Sequence, residues 1–196
     1  QVINNTDLTA SGSFNYGIYS AGEVINNGNI NFGAGDGNIG IFSTHGGTAV
    51  NNASITVGES YMDPTNVLNN RYAIGMAAGY TPTATELAAG KQPYTGNIVN
   101  NGTIKLTGNS ITTGPVASRK TTTAMAGDFI TLTNNKTIEV TGNNGIGIYG
   151  AGGSKILNSA GASITVGQEG VALYGANKLN SSTLGNGTIS VTNAGT

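Results

Sequence analysis

Chemistry in this chain of 196 residues would fall to few groups: one histidine, nine carboxylates, eight basic side chains and no cysteine. His45 sits in T-H-G-G with no recognisable nucleophile elbow elsewhere in the chain. A triad is defined by three converging roles, so a lone imidazole among glycines reads as a turn residue. Without cysteine there is no disulfide framework, thiolate zinc site or thiol nucleophile. Glu59 and Asp63 are the closest acidic pair, the arrangement that hydrolysis of a glycosidic bond would need. The acids form no recurring column, and on an insert such a pair reads as solvated.

Two glycine-rich segments imitate cofactor and metal motifs. Gly145 to Gly150, G-I-G-I-Y-G, matches the dinucleotide fingerprint and follows the strand-like T-I-E-V. A true fingerprint opens an amphipathic helix, whereas A-G-G-S-K-I-L-N-S-A-G follows here, with no helical period. Gly33 to Asn38, G-A-G-D-G-N, resembles a calcium-binding nonapeptide, but that site needs tandem copies and there is one. No cofactor and no metal is expected.

The elements that would position any chemistry come from a repeat. Ile98 to Gly108 reads I-V-N-N-G-T-I-K-L-T-G, and edited copies start near Val2, Val24, Ala49, Leu132, Ala162 and Gly187. Taking the T-I-x-V unit as a ruler, the anchors are Leu8, Ile30, Ile55, Ile104, Ile138, Ile164 and Ile189, spaced by about 22 to 49 residues, in or near the range of solenoid repeats. Each anchor starts an apolar pair two residues apart, such as Ile55/Val57, which predicts a short strand with one buried face. Five residues before the first four anchors stand Ile3, Ile25, Val50 and Val99, each followed by an Asn pair. Asn4/Asn5, Asn26/Asn27, Asn51/Asn52, Asn100/Asn101 and Asn134/Asn135 therefore recur at one corner. An amide both donates and accepts, so identical amides one coil apart are expected to stack into a ladder.

A third unit, G-I-Y at Gly17 and Gly147 and G-I-F at Gly40, supplies another strand, entered by a bend that suits Gly or Ala. The same strand recurring in the same direction must pair in parallel, and crossover connections prefer right-handed winding. The expected fold is all-β: a right-handed parallel β-helix of about seven coils, a rod some 30 to 35 Å long, with residues 1–196 forming one solenoid segment.

Three inserts break the period, at 59–72, 80–97 and 109–122, and they hold all four prolines. The first and third fall at the same corner of consecutive coils and are expected side by side. Ala84 to Ala89 has room for one helical turn. Tyr and Arg most often anchor binding surfaces, and loops on a rigid scaffold usually carry binding groups. The partner-binding candidates are Tyr61, Asp63, Arg71, Tyr72, Tyr80, Tyr94, Arg119 and Lys120. Lys91 lies beside them. Basic and acidic residues are spread singly, with a formal net charge of -1, so no electrostatic footprint for nucleic acid or anionic lipid exists.

The V-x-N-N-G-x-I-x-V-x-G and G-I-Y pattern resembles the passenger region of type Va autotransporters, and particularly the very large fusobacterial outer-membrane adhesins. That resemblance implies a virulence-associated adhesin segment, secreted by the type V route to the surface of a Gram-negative bacterium and anchored by an outer-membrane barrel outside this sequence. It implies a protein receptor or glycan on host or bacterial cells as partner and no membrane insertion of the segment; some members of such families carry a protease or esterase domain, but no catalytic motif of theirs stands in this sequence, so a non-enzymatic monomer is expected. The alternatives are a purely structural spacer of the stalk and a polysaccharide-active β-helix enzyme. Deleting 59–72 and 109–122 is expected to abolish partner binding with little change in melting temperature; a cell-attachment assay beside a thermal melt checks it.

Overall fold

The computed structural model describes residues 1–60, 71–80, 82–111, 113, 120–176 and 188–196. Three parallel sheets, each taking one strand from successive coils, make a parallel β-helix. The first sheet holds β1 (Val2–Asn4), β4 (Val24–Asn26), β7 (Gly47–Asn51), β10 (Gly96–Asn100), β13 (Thr131–Asn134), β16 (Lys155–Asn158) and β19 (Ser190–Asn193), in that order. The second holds β2 (Leu8–Ala10), β5 (Ile30–Phe32), β8 (Ser54–Val57), β11 (Thr103–Leu106), β14 (Thr137–Val140) and β17 (Ser163–Val166). The third holds β3 (Tyr16–Ser20), β6 (Asn38–Ser43), β9 (Arg71–Gly79), β12 (Lys120–Asp128), β15 (Ile146–Ala151) and β18 (Val171–Ala176). Six coils are complete and β19 begins a seventh.

The T-I-x-V pairs behave as their period-2 pattern requires. Ile30/Phe32, Ile55/Val57, Ile104/Leu106 and Ile138/Val140 are buried, while Leu8/Ala10 and Ile164/Val166 in the end coils are partly covered. Each fully buried side chain of this size contributes about 1.5–3 kcal/mol, so the stacked interior is the main stabilising column. Coil registers align Ile55 with Ile104 and Ile104 with Ile138. Val171, Tyr174 and Val191 stay exposed near one end, as do Val2, Ile3, Phe14, Tyr16 and Tyr19 near the other.

Four details differ from the sequence expectation. In the first sheet the inward column is Val24, Ala49, Ile98, Leu132 and Ile156, one residue before Ile25, Val50 and Val99. The phase is set by the first Asn of each pair, because Asn26, Asn51, Asn100 and Asn134 are buried and two residues on from that column. Second, the unit at Ile189/Val191 joins the first sheet, pairing Val191 with Ile156 and Asn193 with Asn158. Its terminal Asn continues the amide column, which outweighs the T-I-x-V likeness. Third, the small residue of the G-I unit is explained by close approach: a Cβ on Gly75 would lie 2.5 Å from Ile104 Cγ2 and 2.6 Å from the Ala124 carbonyl. Fourth, the inserts are shorter than their composition indicates, since β9 begins at Arg71 and β12 at Lys120, paired in register. Arg71, Tyr72 and residues 120–122 therefore belong to strands.

The expected Asn ladder forms twice. Inside, the amide donates from Asn4 to Asn26, onward to Asn51, Asn100, Asn134, Asn158 and Asn193, at 2.8–2.9 Å each. Outside, Asn27 donates to Asn5, Asn52 to Asn27, Asn101 to Asn52 and Asn135 to Asn101, at 2.8–3.0 Å. The two columns run in opposite senses. The inner amides also satisfy the tight turn: Asn100 donates to the Gly102 carbonyl at 3.0 Å and accepts from its N–H at 3.3 Å.

Replacing a buried ladder member strands its neighbours' donors and acceptors, at about 1–3 kcal/mol per unsatisfied group. Asn100→Ala is expected to destabilise the rod by about 2–4 kcal/mol, and exposed Asn101→Ala by under about 1 kcal/mol. Urea unfolding of both variants measures the difference.

Candidate functional site

The 80–97 insert is likewise shorter than expected, since β10 begins at Gly96; the loop that connects the third sheet to the first in the third coil is clipped together by an antiparallel bridge between Tyr80 and Tyr94. Between them lies a short helix, α1 (Ala84–Ala88), the one turn that the alanines allowed. Thr83 caps it: its hydroxyl accepts from the Glu86 N–H at 3.3 Å, while the Glu86 carboxylate reaches back to the Thr83 N–H at 2.9 Å. This capping box fixes the direction of the Glu86 side chain, which stays partly exposed.

His45 comes from the same corner of the preceding coil, in left-handed backbone with φ 61°. Its ring stacks on Tyr80 at 5.6 Å and 11° and touches Tyr94 at 4.8 Å, while Tyr80 and Tyr94 stand 5.6 Å apart. The Lys91 ammonium lies 4.7 Å from the Tyr80 ring centre and 5.8 Å from that of Tyr94, and pairs with Glu86 at 2.7 Å. The Tyr80 hydroxyl donates to the same carboxylate. Hydrogen bonds from Lys91, Tyr80 and the Thr83 backbone hold the Glu86 carboxyl down at about 2. The Glu86 carboxylate in turn raises both Tyr80 and Lys91.

Next to this cluster a groove of about 510 Å³ opens on the first sheet, lined by Thr48, Thr95, Asn97, Phe129 and Lys155 among others. The register puts Thr48, Asn97, Thr131 and Lys155 on one row across four strands. Phe129 occupies left-handed backbone at φ 59° and rests its ring against Gly152. Gly152, the equivalent position of the next coil, takes the same conformation at φ 60°, so the left-handed residue belongs to the turn at this corner. The groove thus has a polar row, an aromatic flank and one exposed ammonium.

The sequence candidates separate into three groups. Tyr80 and Tyr94 meet at this corner. Arg71 and Lys120 were expected on exposed loops and are instead buried, at 4% and 7% exposure. Arg71 pairs with Asp36 at 3.5 Å, and Lys120 contacts Glu59 at 2.5 Å and the Ser60 carbonyl at 3.1 Å. Asp36 also accepts from the Ser60 hydroxyl at 2.8 Å, so the aspartate of G-A-G-D-G-N is engaged in tying coils together. Burial of these cations follows from their place as first residues of β9 and β12, where the strands turn them inward against those acceptors. Tyr72 is half-buried on β9, and burial followed by the Tyr16 hydroxyl pushes its phenol up to about 12. Tyr61, Asp63 and Arg119 lie outside the described residues. Glu59, proposed as the carboxylate partner of Asp63, is held by Lys120.

Reading along the sequence missed Glu86, took His45 for a turn residue only, and placed Lys91 beside the candidates without giving it a role. The signal for His45 was positional, since T-H-G-G follows G-I-F just as Tyr80 follows its own coil's third strand. Glu86 was announced by Thr83 three residues earlier, a capping-box spacing. The G-I-G-I-Y-G segment lies almost wholly in β15 and opens no helix. Among the described residues no three His, Cys, Asp or Glu gather as metal ligands, and no helix is long and apolar enough to cross a membrane.

The family model described as BigA third pectate lyase-like domain matches residues 33–161, well over half of the chain. No curated protein and no solved structure matches it.

Glu86 gives the corner a definite pH response. Its folded pKa is depressed from 4.5 to about 2, so the carboxylate's contribution is complete above about 4.5 and is lost as pH falls toward 2. The Tyr80 ring resonances, followed by NMR through that window, are expected to shift as the carboxylate acceptor of its hydroxyl is protonated, while the Tyr80–Tyr94 bridge, the His45 stack and the Asn ladder persist; Glu86→Gln removes the transition.

Proposed function

The chain belongs to the BigA third pectate lyase-like domain family, and from that membership and the corner geometry we propose that it is a non-enzymatic segment of a bacterial surface adhesin. In this reading the rod holds loop 80–97 and the adjoining groove toward a protein receptor or glycan on host or bacterial cells. The family membership supports a surface, adhesin-like protein. The finer assignment, a type V secreted passenger segment of a Gram-negative outer-membrane adhesin like those of fusobacteria, rests on the repeat pattern V-x-N-N-G-x-I-x-V-x-G.

One observation carries the proposal. His45 from one coil meets Tyr80, Lys91 and Tyr94 from the loop of the next, and the four converge on one corner beside a groove. Structural needs of the coil do not require this, because other coils turn the same corner in a few residues, as between β15 and β16. Tyrosines in such a setting supply large, stiff contact area at small entropic cost. A groove running across parallel strands suits an extended ligand laid along the rod.

A spacer role has its own support in the unbroken register. β9 and β12 remain paired over eight positions despite an insert before each. The inserts therefore leave the stalk continuous.

The deciding experiment measures attachment of the labelled chain to host epithelial cells and to partner bacteria. Tyr80→Ala, Tyr94→Ala and Lys155→Glu are each expected to weaken attachment by about tenfold or more, as loss of a binding anchor does. Attachment unchanged in all three assigns the segment to the stalk, and release of sugar fragments from a polysaccharide panel would make it an enzyme. Deletions for the other loops are best confined to 61–70 and 112–119, which spare the strand residues Arg71, Tyr72 and Lys120.

A further inference from the structure

We propose that Tyr80, Tyr94 and Glu86 form a cage for a lysine side chain presented by a partner protein, and that Lys91 is its built-in occupant. The inference builds on the reading of this corner as a binding surface. Two aromatic faces and a carboxylate are the groups that attract an ammonium: the ring faces through their quadrupole, the carboxylate through charge and hydrogen bonding. All three converge here, with the Lys91 ammonium 4.7 Å from one ring centre, 5.8 Å from the other and 2.7 Å from Glu86 Oε1. The cage walls do not depend on Lys91 for their position. His45 stacks on Tyr80, the Tyr80–Tyr94 bridge closes the loop, and the capping box with the Tyr80 hydroxyl orients the carboxylate.

The occupant is held loosely. Lys91 and Glu86 side chains are 34% and 32% exposed, and ion pairs at such exposure contribute little. Lys91 sits in the loop's C-terminal arm, beyond the helix and three residues before Tyr94, at an edge of the cage that solvent reaches. The ligand chemistry is fixed by the hydrogen bond: an N–H donor reaches Glu86, which a primary ammonium offers and a quaternary ammonium lacks. An incoming lysine would thus exchange with Lys91 on equal chemical terms and gain from the neighbouring contacts of the groove. Lys91 keeps the carboxylate paired while no partner is present and excludes stray cations.

The test uses n-butylammonium as the lysine probe and tetramethylammonium as the quaternary comparison, each titrated into the full chain while the Tyr80 and Tyr94 ring signals are followed by NMR. Lys91→Ala and Lys91→Ser are expected to bind butylammonium about tenfold or more tightly than the unaltered chain, where the probe must displace Lys91. Adding Glu86→Gln to either variant is expected to weaken the probe about tenfold, and tetramethylammonium is expected to bind several-fold more weakly than butylammonium. Nuclear Overhauser contacts among His45, Tyr80 and Tyr94 report whether each variant keeps its cage, and the unaltered chain at high probe concentration supplies the same measurement with the native loop. Absence of a saturable shift in all three proteins overturns the proposal, as does indifference to Glu86→Gln; equal or tighter tetramethylammonium binding overturns the lysine assignment. Probe binding lost while cell attachment persists sinks the cage alone, whereas attachment lost with probe binding intact sinks the adhesin reading alone.

Discussion

Every coil of this protein has to deliver a carboxamide to the same buried corner, within hydrogen-bond reach of the amides above and below. That requirement fixes more than a turn. A buried amide without partners is costly, so a coil that slipped by one residue would lose its amide contacts and also turn its apolar row outward. The inner Asn column and the stacked Ile and Val side chains therefore enforce each other: one sets rotational phase around the rod, the other supplies most of the burial energy. Insertions between strands are tolerated because neither column passes through them. The third coil carries the 80–97 loop, yet Ile98 and Asn100 return to zero exposure.

This division of labour explains which parts could be read from the sequence. Strand and corner positions were legible because a repeated environment selects the same residue type in each coil, as at Ile55, Ile104 and Ile138. Phase was harder. In V-I-N-N and I-V-N-N both residues before the Asn pair are apolar, so hydrophobicity alone does not tell Val24 from Ile25; the buried Asn two positions on decides. The final coil was misassigned for a related reason, since T-I-S-V at 188–191 fits the T-I-x-V unit until Asn193 is matched to Asn158.

Site chemistry followed the opposite rule. Arg71 and Lys120 look like surface cations in composition, and only the pairing of β9 with β12 shows that they are strand starts facing buried acceptors. Removing Arg71 would leave the buried Asp36 carboxylate without its cation, a loss of about 3–5 kcal/mol in typical proteins. Tyr80 and Tyr94 were legible along the chain as insert residues, but their meeting with His45 was not, because it joins two coils. Once the winding is known, the residues at one corner of successive coils form a list as informative as a linear motif. Binding groups on a solenoid are best sought down such columns, one residue per turn.

The opposed senses of the two amide columns bear on how long such a rod can grow. A file of aligned carboxamide dipoles accumulates a potential difference between its ends, much as a helix does. Here the buried file points its donors toward the C-terminus and the surface file points them back, one residue away along the chain. The surface file thus opposes the buried one over the coils that carry both, from Asn5 to Asn135, although water screens it more strongly than the interior screens its partner. Each added coil brings one more amide to the buried file with both of its neighbours already in place, so the stalk can be lengthened by whole coils without a new kind of contact.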